Sequence, residues 1–296
     1  AYSDSWFDAA LLASVGHPTA VNPDPRMVGL ALLRGWPIRW FDTPPGVVKV
    51  AGFELQDLTR PFARPELIPN ARIEISGVER IPAVGSAIVV GNHRSYFDPM
   101  VMTTLIARAG RNARYLGKKE VFDVPVVGAV ARAAGGIRVD RASGSSEPLE
   151  TAAAALRAGD VVMIMPQGTI PRGPAFFDPE LKGRWGAAKL AALSGAPVIP
   201  VGLWGTEQVW PRNARVPRLA LDDQPLVTAT VGDPVELGHE DLDADTASIM
   251  TAISALLPPE SRERREPSAE ELAATYPPGY RGDPAQDTDR RPGTDT

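Results

Sequence analysis

Short apolar runs rich in Val and Ile alternate with alanine- and leucine-rich stretches along most of this chain, and that alternation restricts the fold more than any other feature. Strands are expected at 72–76, 86–91, 113–117, 136–140, 160–165, 197–203 and 226–231, and helices at 99–109, 122–133, 147–158, 183–193 and 244–257. Ala152–Leu156 and Ala187–Leu193 favour helix because Ala and Leu lose little side-chain freedom there, and Gly159 and Gly195 are natural stops. The spacing implies an α/β fold, a sheet flanked by helices. No internal repeat is evident, and 296 residues without a cysteine leave neither a disulfide framework nor a thiol nucleophile.

Asn92-His93-Arg94-Ser95-Tyr96-Phe97-Asp98-Pro99 follows the apolar run Ser86–Gly91, which puts a histidine and a carboxylate at the mouth of a buried strand. Asp98 is expected to be an N-cap, with Pro99 as the first helical residue, where its missing N–H costs nothing. Five positions apart on one helix, His93 and Asp98 would point roughly 140° apart, so they converge only if a turn lies between them. With Asp98 on one ring nitrogen, the other is left to accept a proton from a hydroxyl. Taken alone, the segment reads equally as a loop histidine beside a helix cap.

Three later segments change that balance. The His-x4-Asp element resembles the first block of the glycerolipid acyltransferases, typified by 1-acylglycerol-3-phosphate acyltransferase. Gly135–Arg141 resembles their second block, Met165–Thr169 the third and Ala196–Val201 the fourth, in the same order and at similar spacing. The resemblance spans about Asn70 to Leu257. It implies a glycerolipid acyltransferase-type sheet flanked by helices, with His93 as general base and Asp98 orienting its ring. The acyl donor would be acyl-CoA or acyl carrier protein and the acceptor lysophosphatidic acid; no cofactor or metal is called for. No acyl-enzyme is needed. What the reaction demands is a deprotonated hydroxyl, a held anionic head group and a stabilised oxyanion.

Carried over residue by residue, the family's binding positions fall on Asn92, Lys118, Lys119, Gly136, Arg141, Gln167, Gly168, Thr169 and Arg172. Arg141 stands where the family's arginine faces the acceptor phosphate, a task suited to a guanidinium fork; it also reads as a surface arginine paired with Asp140. Lys118 and Lys119 read either as a second phosphate contact or as a solvated charge pair. The third block departs from the family's usual Pro-Glu-Gly-Thr-Arg-Ser: Gln167 replaces the acid, Ile170 replaces the arginine, and Arg172 lies two residues further on. Gly168-Thr169 is expected to turn backbone donors toward an anion. These departures keep open a different acceptor, such as glycerol 3-phosphate, a lysophospholipid or a glycolipid, and a non-catalytic lipid-binding relative.

The N-terminal region tells another story. Tyr2–Asp8, Gly16–Asp24 and Gly35–Ile38 resemble the end of a haloacid dehalogenase-like phosphatase of the phosphoserine phosphatase subclass, with Asp4 and Asp8 matching its acidic block. As in phosphatase–acyltransferase fusions, the chain would begin in the middle of that domain. The family's nucleophile is not in this sequence, so phosphatase activity is not expected, and a polar turn with a helix cap explains both acids equally well. The expected division is a truncated piece at 1–45, a linker at 46–69, the acyltransferase domain at 70–258 and a disordered acidic tail at 259–296.

Charge supports the division. Residues 70–220 carry 19 Lys and Arg against 12 Asp and Glu, whereas residues 221–296 carry 6 against 17. A basic domain suits phosphorylated substrates and an anionic membrane surface; no basic motif interleaved with aromatics points to nucleic acid. No run approaches the roughly 20 apolar residues of a membrane span. The expectation is a cytoplasmic protein attached peripherally to the inner face of the membrane. Candidate contacts are Met27–Trp40, with Leu30, Leu32, Leu33, Trp36 and Trp40, and Val121–Val130, although both read as core packing too.

Overall fold

The computed structural model describes residues 1–280 except 42–46, 48, 51–52, 124, 126, 141–145 and 220–221. The chain forms two compact units, one of Ala1–Pro61 with Gly117–Arg138, the other of Phe62–Leu116 with the chain from Val139 onward.

Six strands lying wholly or mostly in the larger unit, β1 Arg72–Ser76, β2 Ala87–Gly91, β3 Ala113–Lys118, β4 Val161–Ile164, β5 Val198–Trp204 and β6 Leu226–Val231, follow the order β1-β6-β5-β2-β4-β3. β2 is central, parallel to both β4 and β5, while β5 and β6 pair antiparallel, so the sheet is mixed. β2 and β4 are buried along their whole length, as their unbroken apolar runs require of strands covered on both faces. Pro200 sits inside β5 without breaking the ladder. Its carbonyl accepts from Gly232 N–H at 2.8 Å, just beyond the last β5–β6 pair, Val201 with Val231, so its nitrogen faces a place where β6 has already ended.

The helices are α1 Asp98–Arg108, α2 Glu147–Arg157, α3 Gly186–Ser194 and α4 Leu242–Ala255. Alternation along β2 sends Ala87 and Val89 to the face where Val101, Met102, Leu105 and Ile106 of α1 complete the core, and Ile88 and Val90 to the other. There α3 and α4 pack on β2 and α2 packs on α3. Gly195 ends α3 with φ +67°, and Gly159, φ +90°, follows α2, as the sequence implied.

The expected strands all form. In place of the expected continuous helix at 122–133 there are two, Lys119–Phe122 and Val127–Ala133, and Pro125, which has no N–H to give a helix, falls between them. The tail does not begin at 259: Pro259–Arg262 forms a 3-10 turn, and Ala269–Ala274 is a helix opened by a Ser268–Glu271 capping box. The linker at 46–69 likewise holds the helix Leu55–Thr59. No described helix is long and apolar enough to cross a membrane.

The smaller unit has a parallel sheet of Tyr2–Ser3, Thr19–Val21 and Ile38–Arg39, with helices Ala9–Ala13 and Pro25–Arg34 between the strands. Asp24 caps the second helix, accepting from Arg26 and Met27 N–H at 2.9 and 2.8 Å, and Asp8 accepts from the Ser3 hydroxyl at 2.6 Å. Of the expected membrane contacts here, Met27 is fully buried and Leu30 and Trp36 pack against the core, while Leu32 and Leu33 are exposed.

Candidate active site

At the end of β2 the chain turns sharply through residues 92–97 before α1 begins. His93 Nδ1 lies 2.7 Å from Asp98 Oδ2. The same oxygen accepts the peptide N–H groups of Arg94 at 2.6 Å and Ser95 at 2.8 Å. A carboxylate oxygen in that position can only accept, so Nδ1 is the donor, and in the neutral ring this leaves the lone pair on Nε2. Asp98 is completely buried in the first turn of α1, where the helix dipole favours its negative charge, while the His93 side chain is 18 % exposed. Asp98 does not cap the helix as expected. Phe97 occupies the N-cap position, and the Asp98 carboxylate reaches backward to hold the turn instead.

Asn92 is corrected from a substrate contact to a support. It is buried, its Nδ2 donates to Leu203 O at 2.9 Å, and its Oδ1 accepts from Leu203 N–H at 2.7 Å, tying the turn to β5. Gln167, at the end of β4, is brought next to the pair: its Oε1 accepts the His93 peptide N–H at 2.6 Å. That contact fixes the amide orientation, because an N–H needs an oxygen opposite it. The acid usual in the resembling family is thus replaced by a group that keeps the accepting oxygen and adds an NH2.

The rest of the third block differs from expectation. The Gly168 N–H closes a turn onto Met165 O at 2.8 Å and is spent there rather than presented to an anion. The Thr169 hydroxyl faces the Ile170 carbonyl at 3.5 Å, and Ile170 itself is buried. The Arg172 guanidinium carbon lies 5.2 Å from the centre of the Tyr280 ring. Arg212, which sequence reasoning missed, donates to Ile170 O and supports the block from below.

Gly136, Lys118 and Lys119 belong chiefly to the smaller unit. Gly136 opens the strand Gly136–Val139, where a Cβ would come within 2.7 Å of both the Phe122 ring and Ala131 O, so close packing alone demands glycine. Lys118 ends β3 and Lys119 starts the helix Lys119–Phe122. Arg138 pairs with Asp123 at 3.2 Å. Arg141 lies outside the described residues. A cavity of about 450 Å³ opens beside Arg94, Phe176, Trp204 and Glu207; His93 is not on its wall.

The site therefore has an imidazole with one nitrogen tied to a buried carboxylate at the mouth of a central strand, an arrangement that can accept a proton from a hydroxyl. Residues 72–204 match the acyltransferase family model. An uncharacterized protein of Mycobacterium tuberculosis is 32 % identical over 171 residues, covering 55 % of this chain and 46 % of that protein. The 1-acyl-sn-glycerol-3-phosphate acyltransferase of Borreliella burgdorferi is 30 % identical over 153 residues, covering 49 % and 56 %. The chain thus spans about half the length of these relatives. In fold it is similar to the 1-acyl-sn-glycerophosphate acyltransferase PlsC from Thermotoga maritima, with a TM-score of 0.52 and 20 % identity over 68 % of this chain and 78 % of that one.

Proposed function

We propose that this protein transfers an acyl group from acyl-CoA or acyl carrier protein to the free hydroxyl of 1-acylglycerol 3-phosphate, giving phosphatidic acid. The observation that carries the reading is the 2.7 Å His93–Asp98 contact, with Asp98 fully buried, inside the segment that matches the acyltransferase family. His93 Nε2 takes the proton as the hydroxyl oxygen attacks the thioester carbonyl; the thiolate of the donor then leaves and takes up a proton. Arg141, with Lys118 or Lys119, is assigned to the acceptor phosphate. Arg141→Ala is then expected to weaken use of phosphorylated acceptors, with turnover of a neutral acceptor spared; equal loss on both would remove that assignment. The deciding experiment is a panel of acceptors with one labelled acyl-CoA, read by thiol release and product mass, in which lysophosphatidic acid should be acylated fastest.

A second acceptor class, glycerol 3-phosphate, a lysophospholipid or a glycolipid, is favoured by Gln167 beside His93 and by the buried Ile170 in the third block. The same panel separates the two. Attachment to an anionic inner membrane surface, with Leu32 and Leu33 among its contacts, accompanies either reading. Flotation with anionic liposomes tests it, and protein left wholly in the soluble fraction would remove it. The smaller unit is assigned to the haloacid dehalogenase-like class without a phosphatase role, on the parallel order of its three strands with a helix between each pair.

A further inference from the structure

Arg94 sits between the catalytic histidine and Ser95, yet its guanidinium is engaged elsewhere. The guanidinium carbon lies 4.3 Å from the centre of the Trp204 ring and 4.4 Å from that of Phe176, and Nη2 donates to Glu207 Oε1 at 2.8 Å. The two side chains are only 12 % and 23 % exposed. Removing two charges from water is costly, so an arrangement of this kind persists where its geometry matters. At its other end Arg94 gives its peptide N–H to Asp98 Oδ2 at 2.6 Å.

The register makes the consequence specific. Asn92 is pinned to Leu203, the last residue but one of β5, and Arg94 is pinned to Trp204, the last. His93 is therefore held between two anchors on consecutive residues of the neighbouring strand. Gly205 then turns the chain at φ +81°, where a Cβ would come within 2.2 Å of Leu226 O, and this turn carries Glu207 to the guanidinium on the short helix Thr206–Val209. Glu207 lies outside all four sequence blocks.

We propose that Glu207 is a positioning residue for the catalytic pair. By holding the Arg94 head against Trp204 and Phe176, it keeps the Arg94 peptide N–H on Asp98, and so keeps Asp98 aligned on His93 Nδ1. The effect on rate rests on the acyl-transfer reading, but the effect on the imidazole does not, and the test uses both.

The chain has three histidines, so the His93 ring signals in nitrogen NMR can be assigned by their loss in His93→Ala. In alkaline buffer the wild-type ring should show one tautomer, protonated on Nδ1. Glu207→Ala should show a mixture of tautomers, and Glu207→Gln, which keeps an accepting oxygen, should restore the single form. The double variant Arg94→Met/Glu207→Leu leaves no unpaired charge and should show the same mixture, which covers the case in which Glu207→Ala does not fold. In the acyl-transfer assay kcat should fall on the order of 10- to 100-fold for Glu207→Ala, with KM for donor and acceptor within about twofold. A single Nδ1-protonated tautomer retained in the double variant would overturn the proposal, even with a lowered melting temperature. A tautomer mixture in the variants, together with a wild-type protein that turns over no thioester, would support the positioning role and overturn the acyl-transfer reading instead.

Discussion

β2 and β4 run side by side and parallel, and each ends in a turn that bears on the site, but the two turns are built differently. After β2, the His93–Asp98 contact is set within residues 92–98, where Asp98 takes the Arg94 and Ser95 N–H groups and the His93 ring and the Ser95 hydroxyl accepts the Phe97 N–H, while Asn92 and Arg94 anchor the turn to the end of β5. After β4, residues 165–172 lean on distant chain. Arg212 supports the Ile170 carbonyl, Arg184 N–H donates to Pro166 O at 2.8 Å, and Gln167 reaches across to His93. The first turn makes its histidine–carboxylate contact from residues only five apart in the chain. The second is shaped by the distant chain that packs against it.

Asp98→Asn gives the strongest way to break this contrast. The two peptide donors orient an amide with its oxygen toward the ring, so His93 keeps an acceptor but loses the negative charge that would stabilise the imidazolium formed as the proton is taken, and kcat should drop on the order of 100-fold or more in a steady-state assay. Near-normal turnover would mean that the first turn is not the chemical centre. Gln167→Leu probes the link between the turns. It leaves the His93 N–H unpaired, a cost of about 1–3 kcal/mol that thermal unfolding should register, with a kcat loss on the order of tenfold if about 1.4 kcal/mol of it falls on the transition state. Gln167→Glu keeps the accepting oxygen and should retain most activity; if it is as damaging as the leucine, the link works through the amide NH2 and not through the carbonyl.

The smallest expected effect lies in the C-terminal segment. Arg265 bonds Glu271 through two nitrogens at 2.9 and 2.7 Å, and with the Ser268 N–H it draws the Glu271 carboxyl down to about 2. A depressed carboxylate stabilises the folded form above its ordinary value of 4.5 and loses that contribution as pH falls from there toward 2. Acid titration followed by hydrogen exchange in Ala269–Ala274 should therefore show the helix loosening across that window, and Glu271→Gln should remove the pH dependence while leaving activity unchanged.

How much of this was legible in the sequence follows from the same contrast. Every expected strand forms, because β-branched runs such as Ala87–Gly91 and Val161–Ile164 are buried on both faces and carry their signal in composition. The His93–Asp98 convergence was legible from a five-residue spacing broken by a turn. The role of Asp98 in that turn was not, since N-cap and backward-reaching carboxylates share one sequence pattern. Asn92 was misread because its partners are on Leu203, 111 residues away. Glu207 and Arg212 left no local trace for the same reason, since their partners Arg94 and Ile170 lie 113 and 42 residues away. The helix at 269–274 was missed because a charged, proline-rich stretch reads as unfolded until its capping box and the buried Tyr276 are seen together.

The central claim is that His93, steered by Asp98, is the base that activates an acceptor hydroxyl. It is tested most directly by release of free thiol from an acyl-CoA in the presence of lysophosphatidic acid, comparing the wild-type protein with His93→Ala under conditions where both are folded. The expected result is acceptor-dependent release by the wild type, with product mass matching phosphatidic acid, and a fall on the order of 10²- to 10⁴-fold in the variant. Equal rates for the two proteins would contradict it.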